Sequence, residues 1–277
     1  MEDGSLRIYI QCRDERNVGR IGYVDVDSNN PLHVVRVAQK PVLDIGVAGA
    51  FDDNGVFQTS IVRNGDGRLF MYYVGFELCH HIRYRLLTGL AISEDGGESF
   101  QRIGRTPILE RSSEELHFRC GPFVLGEDKR YRMWYVGGSS WVEIEGKQMP
   151  VYDIRYIESG DGIHWPTHGR VVLPISRQDE HGFGRPYVLH EAGLYRMFYS
   201  IRKKSPLRYC VGYAESLDGI DWVRMDERAG LDVSLSGWDS ESVEYAARVK
   251  TSGFTWLLYN GNDFGATGFG VARLEAD

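Results

Sequence analysis

One short pattern occurs three times in this chain and constrains its fold more than any other feature. Ser216-Leu-Asp-Gly-Ile-Asp-Trp222 and Ser159-Gly-Asp-Gly-Ile-His-Trp165 share Ser, any residue, Asp, Gly, two residues and an aromatic. Ser93-Glu-Asp-Gly-Gly-Glu-Ser-Phe100 carries the same pattern with one residue inserted. Each copy follows a short alternating run: Leu90-Ala-Ile, Ile154-Arg-Tyr-Ile or Val211-Gly-Tyr-Ala. A strand, a turn in which Asp caps backbone N–H groups while Gly takes positive φ, and a returning strand is how a hairpin is written. Three copies of one turn imply one unit built at least three times.

An aromatic-rich strand precedes each turn, and its closing tyrosine gives the period. Leu69–Val74, Tyr131–Val136, Leu194–Tyr199 and Thr255–Tyr259 contain Tyr73, Tyr135, Tyr199 and Tyr259, spaced by 62, 64 and 60 residues (135 − 73, 199 − 135, 259 − 199). That is longer than WD40 or kelch repeats but fits a four-stranded unit with generous loops. A further apolar run lies upstream of each: Val56–Val62, Pro122–Leu125, Pro186–Leu189 and Val243–Val249. The N-terminus reads as a fifth, incomplete copy without an inner strand: Leu6–Ile10, Arg20–Val26 and Leu32–Val37. A C-terminal strand around Gly268–Leu274 could fill the gap, although the last unit also needs it as a third strand; alternatively the chain begins late in the repeat.

These features predict an all-β chain: a five-bladed β-propeller of four-stranded antiparallel blades around a central channel, with the N-terminal blade incomplete, as one domain over residues 1–277. Thirty-three glycines interrupt every long helical window. A net charge of −7 argues against nucleic acid as partner. No apolar run approaches the roughly 20 residues of a membrane span, and the first residues do not read as a signal peptide. Cys12, Cys79, Cys120 and Cys210 lack C-x-x-C spacing and read as reduced thiols of a cytoplasmic protein.

In a propeller the inner strands converge on the channel, so polar groups at their mouths are the site candidates. The first mouth offers Asp52 and Asp53, with Gln58 on the strand and Glu77 and His80 in the loop beyond; the plain alternative for Asp52-Asp53-Asn54-Gly55 is a tight turn. His80-His81 beside Cys79 is not completed into a metal set, and neither a metal nor a cofactor is expected. The pattern predicts Arg119 and Arg185 immediately before an inner strand, where a guanidinium can clamp an anion or pair with a neighbouring acid. Asp153 could hold a sugar hydroxyl or pair with Arg155, and Arg202 is the member of its basic loop nearest the channel. The fourth mouth is the densest: Trp238 for stacking on a pyranose, Asp239, and Glu241 or Glu244 as an acid if burial raises its pKa. Asn260 follows on the same unit.

With Phe51-Asp-Asp-Asn-Gly55, Gly184-Arg-Pro186, Ala214–Trp222 and Tyr259-Asn-Gly-Asn262, the chain resembles the five-bladed propeller glycoside hydrolases, the clan of invertases, arabinanases and β-mannoside phosphorylases. More narrowly, it resembles bacterial propellers associated with surface-polysaccharide biosynthesis. That resemblance implies three acidic groups, with Asp53 (alternatively Asp52) as base or nucleophile and Glu241 (alternatively Glu244) as acid, and the leading pair is Asp53 with Glu241. The Arg-Asp-Pro signature of many relatives is replaced here by Arg119-Cys-Gly-Pro122 and Arg185-Pro186, which weakens the case for ordinary hydrolysis. Three readings follow: a glycosidase; a phosphorylase, transferase or other enzyme on an anionic sugar, using Arg119, Arg185 and Arg202; or a non-catalytic carbohydrate-binding propeller. The ligand would be a small molecule or oligosaccharide. An incomplete unit could also use a partner's edge in an oligomer.

Overall fold

The Ser-x-Asp-Gly stretches close as a single recurring device. In the computed structural model, which describes residues 4–127, 130–251 and 253–274, the Ser216 Oγ accepts from Gly219 N–H (2.9 Å). Asp218 accepts from Ile220 and Asp221 N–H (2.8 and 2.9 Å), and Gly219 takes φ 76°. Ser159-Asp161 and Ser93-Asp95 repeat these bonds. The turns also fasten one unit to the next. Tyr9, Tyr72 and Trp134 each donate to the carbonyl of a turn glycine in the following unit: Gly97 (3.0 Å), Gly162 (2.8 Å) and Gly219 (2.7 Å). The corresponding residue of the next aromatic strand is Phe198, which cannot donate.

The strands form five consecutive antiparallel meanders. The first is β1 (Ser5–Arg13), β2 (Gly19–Asp27) and β3 (Val34–Val37). The second is β4 (Val56–Arg63), β5 (Leu69–Leu78), β6 (Tyr84–Ser93) and β7 (Gln101–Arg102). The third is β8 (Phe118–Glu127), β9 (Arg130–Ile144), β10 (Lys147–Ser159) and β11 (Arg170–Leu173). The fourth is β12 (Glu180–Glu191), β13 (Leu194–Lys203), β14 (Tyr209–Ser216) and β15 (Val223–Arg224). The fifth is β16 (Glu244–Lys250), β17 (Thr255–Asn260) and β18 (Phe269–Leu274). Helix is confined, among the described residues, to short turns at Asp226–Arg228 and Asn262–Gly265. None is long and apolar enough to cross a membrane.

The sequence left open where Gly268–Leu274 belongs. β18 pairs with β17 in the last meander, so it does not complete the first one. Short parallel bridges join successive meanders where β6 meets β8 (Leu86 opposite Phe118) and β10 meets β12 (Tyr152 opposite Gly182). The core lies between meanders rather than within them. Ile21 and Tyr23 pack with Met71 and Tyr73, Phe70 and Tyr72 with Val124 and Met133, Trp134 and Ile154 with Val188 and Met197, and Phe198 and Val211 with Ala246 and Leu257. Each closing tyrosine is pinned by an acid near its own unit, buried in three cases and half-buried at Asp226: Tyr73 donates to Asp52 (3.0 Å), Tyr135 to Glu115 (2.7 Å), Tyr199 to Asp226 (2.6 Å) and Tyr259 to Asp239 (2.9 Å).

Two departures from the sequence reading concern the inner strands. β8 and β12 begin at Phe118 and Glu180, several residues before the apolar runs that marked them. Arg119 and Arg185 therefore lie inside their strands rather than ahead of them. A bulge then breaks the register in each, between Cys120 and Phe123, Gly184 and Tyr187, and Glu244 and Ala247. The residue left unpaired takes positive φ: Gly121 (60°), Arg185 (35°) and Tyr245 (58°). Each stands 14 residues before its closing tyrosine (135 − 121, 199 − 185, 259 − 245). Arg185 is thus the counterpart of Gly121, while Arg119, two residues earlier in the unit, corresponds to Phe183.

Candidate active site

Antiparallel order gathers the starts of the inner strands, the ends of the aromatic strands and the starts of the third strands at one end of the meanders. The Ser-x-Asp-Gly turns lie at the other end. At the first end, which we term the rim, several buried polar atoms lack a hydrogen-bond partner among the described residues: Gln58 Oε1, His117 Nδ1, Trp141 Nε1, His181 Nε2, Arg202 Nε and Glu244 Oε1. An unsatisfied buried polar group costs about 1–3 kcal/mol. Their concentration marks the place where water or a ligand would supply the missing bonds.

Arg202, on β13, is 5% exposed and sits among phenols from four meanders. It donates to the Tyr152 hydroxyl, its guanidinium lies 5.0 Å from the Tyr209 ring and 5.4 Å from the Tyr152 ring, and Tyr84 and Tyr245 act on its charge. Burial raises the pKa of Tyr152 and Tyr209 well above the phenol range, so the cage around Arg202 is neutral. His181 is buried alongside, with Nδ1 3.0 Å from the Pro150 carbonyl oxygen. Burial, seconded by Arg202, lowers its pKa to about 4, leaving a neutral imidazole.

Glu244, the first residue of β16, is 1% exposed. Oε2 accepts from Ser242 Oγ (3.0 Å), while Oε1 has no partner. Burial lifts its pKa to about 8, against the opposing pull of Ser242, Arg202 and Arg13, with Asp263 reinforcing the rise. At neutral pH it is a protonated carboxylic acid. The influence of Arg13, which also lies 5.7 Å above the Phe264 ring, brings the first meander up to the fifth.

Asp53 stands half-buried in the turn leading into β4. It accepts from Gly49 N–H (2.8 Å) and from the Asn54 amide; the neighbouring Asn54 N–H reaches the Phe76 carbonyl at the end of β5 (3.3 Å). Asp53 is therefore at the rim, and no direct contact joins it to Glu244 among the described residues. Asp52, 1% exposed, faces away from it, held by Arg102 (2.7 Å) and Tyr73. Asp239 is bound to Tyr259 in the equivalent place. A recess of about 330 Å³ adjoins Asp52 and Arg102, but these two walls are bound to each other, so the rim carries the stronger chemical case.

The remaining candidates disperse. Arg119 is buried against Glu115 and donates to the Glu110 and Pro166 carbonyls (both 2.8 Å), and Arg155 pairs with Glu115 (3.0 Å) and Asp153 (2.8 Å). Burial raises the Asp153 pKa despite that arginine. Gln58 reaches across to the Tyr9 carbonyl (2.6 Å), and Glu77 pairs with Arg85 (3.3 Å). His80 is exposed against His81, and no group of three or more metal-ligating side chains occurs among the described residues. Glu241 is exposed, its backbone held by Asn262 (2.8 Å). Trp238 stacks on Tyr259 (5.2 Å between centroids) and stays 39% exposed, and Asn260 bonds the Phe264 carbonyl (3.1 Å). Sequence reasoning missed Tyr84, Tyr209, Tyr245, His181 and Arg13. The spacing of 14 from the closing tyrosine was a signal available for Tyr245; nothing local distinguished the others.

The fold is that of the propeller clan of glycoside hydrolases. A solved "Glycoside hydrolase" superposes with a TM-score of 0.79 at 16% identity, covering 100% of this chain and 86% of its own. A structure described under the GH130 family of mannoside phosphorylases gives 0.69 at 16% identity, covering 99% of this chain and 82% of its own. No model of a known protein family matches the chain. In sequence it is 37% identical over 275 residues to the uncharacterised protein Rv1502 of Mycobacterium tuberculosis, covering 99% of this chain and 90% of that protein. The chain belongs to the family of Rv1502.

Proposed function

We propose that the protein is an enzyme that makes or breaks a glycosidic bond of a bacterial glycan or sugar conjugate at the rim. In this reading the five meanders are the blades of a five-bladed propeller closed into one domain over residues 1–277. Glu244 is the acid that protonates the departing glycosidic oxygen, and Asp53 is the base or nucleophile from the far side of the rim. The observation that carries the reading is Glu244: a carboxyl kept protonated near pH 7 by burial, with one oxygen unpartnered, suits general-acid catalysis. The fold likeness supports the reaction class, and sucrose in one solved neighbour and an RGII complex in another make carbohydrate the ligand class to try first. Neutral His181 and the phenols around Arg202 would contribute hydrogen bonds to sugar hydroxyls.

The test is turnover of a panel of aryl glycosides and oligosaccharides, each with and without inorganic phosphate, by wild type, Glu244→Gln and Asp53→Asn. The phosphate arms separate hydrolysis from phosphorolysis. We expect Glu244→Gln to lose more on substrates with poor leaving groups than on activated aryl glycosides, since only the former need the proton. Both variants turning over every substrate at the wild-type rate would sink the assignment. Binding by wild type without turnover would instead establish a carbohydrate-binding propeller.

A further inference from the structure

Arg185 differs from every other guanidinium described above. Its side chain makes neither a hydrogen bond nor an ion pair with any described residue, and it is half-buried at the rim. Tyr245 and Tyr187 are the groups that act on its charge, both neutral phenols. Tyr245 also acts on Arg202, so it neighbours both guanidiniums. Burial depresses the pKa of Arg185, as expected of a cation partly withdrawn from water with no anion beside it.

The backbone adds a second, independent observation. Arg185 occupies the bulge of β12 at φ 35°, a conformation that glycine adopts freely and a long side chain does not. The equivalent bulge of β8 has Gly121, and a Cβ there would lie 3.7 Å from Arg185 Cα. The fold therefore accepts glycine at this position in the neighbouring strand. An unpaired, half-buried arginine at a position of positive φ does nothing for stability that glycine would not do. Arg119 has Glu115 and Arg202 has Tyr152, whereas the Arg185 guanidinium has no partner among the described residues.

We propose that Arg185 binds an oxyanion of the substrate, a carboxylate or a phosphate borne by the sugar, through the paired N–H donors of its guanidinium beside Tyr245. This deepens the rim-site reading by giving its substrate a negative charge, and it rests on that reading for the location of the site. The binding itself requires no turnover.

The experiment is thermal unfolding of wild type, Arg185→Gly and Glu244→Gln at matched ionic strength, with inorganic phosphate, glucuronate, galacturonate, or glucose as the neutral control. Phosphate against the two uronates separates the two sources of the oxyanion. We expect at least one anion to raise the wild-type Tm while glucose does not, and its affinity for Arg185→Gly to fall about ten- to a hundred-fold. Arg185→Gly without ligand should melt at or above the wild-type temperature, because backbone strain is relieved and no intramolecular partner is lost. Glu244→Gln should keep the protection. No protection of wild type by any anion, equal protection of Arg185→Gly, or a lowered Tm or failure to fold in Arg185→Gly would each overturn the proposal, the last by making the guanidinium structural. If wild type turns over no glycoside but anion protection still depends on Arg185, the glycosidic reading fails and this one stands.

Discussion

Replacing Glu244 with glutamine should make the protein more stable at neutral pH, by an amount that follows from its surroundings. In the unfolded chain the carboxyl titrates near its usual 4.5, and in the fold near 8. Below pH 4.5 both states hold the proton and the group leaves the balance untouched. As pH rises, the unfolded state releases its proton first while the folded state keeps it, so stability falls between about 4.5 and 8. At about 1.4 kcal/mol per pH unit, the loss is about 3 kcal/mol at pH 7 and approaches 5 kcal/mol above pH 8. Relaxation and water entry would reduce both figures. Glutamine occupies the same space, stays neutral and can still accept from Ser242. Urea midpoints of wild type and Glu244→Gln measured from pH 4 to 9 should therefore coincide at the acid end and separate steadily toward the alkaline end, with wild type the weaker. Parallel curves would mean that the carboxyl titrates normally, and the general-acid assignment would lose its support.

Arg102→Ala should cost about 3 kcal/mol, because it strands the Asp52 carboxylate, 1% exposed, without its ion-pair partner; a denaturation midpoint measures this, and turnover per folded molecule should not change. His181 has the opposite pH sign to Glu244: its folded pKa near 4 lies below the ordinary 6.5, so stability is lost as pH falls through that interval. His181→Asn should remove about 2 kcal/mol of that acid dependence once solvent screening is allowed for, seen as a flatter midpoint between pH 6.5 and 4. Asp161→Ala, which deletes the acceptor for Ile163 and His164 N–H at a turn far from the rim, should lower stability by about 1 kcal/mol in chemical denaturation and leave any ligand affinity unaltered.

What this chain forms locally was legible in its residues, because alternation, tight turns and aromatic strands are properties of neighbours in sequence. Serine and aspartate in Ser-x-Asp-Gly satisfy backbone groups within four positions, and the closing tyrosines recur at the repeat distance. The same logic put Glu241 first and kept Glu244 as the alternative, since nothing local shows that β12, β13 and β14 pack against the start of β16 and bury Glu244. Adjacent carboxylates were likewise indistinguishable: Asp52 and Asp53 diverge only because the strand carries one toward Arg102 and Tyr73 and leaves the other at the rim. The two arginines looked equivalent until a single unpaired residue in each inner strand shifted the register. Arg119, two residues before the bulge, pairs with Glu115 in the core, while Arg185, at the bulge itself, is half-buried without a partner. Pairing, enclosure and the loss of water depend on which distant strands come to lie side by side, and the packing of the meanders against one another decided them.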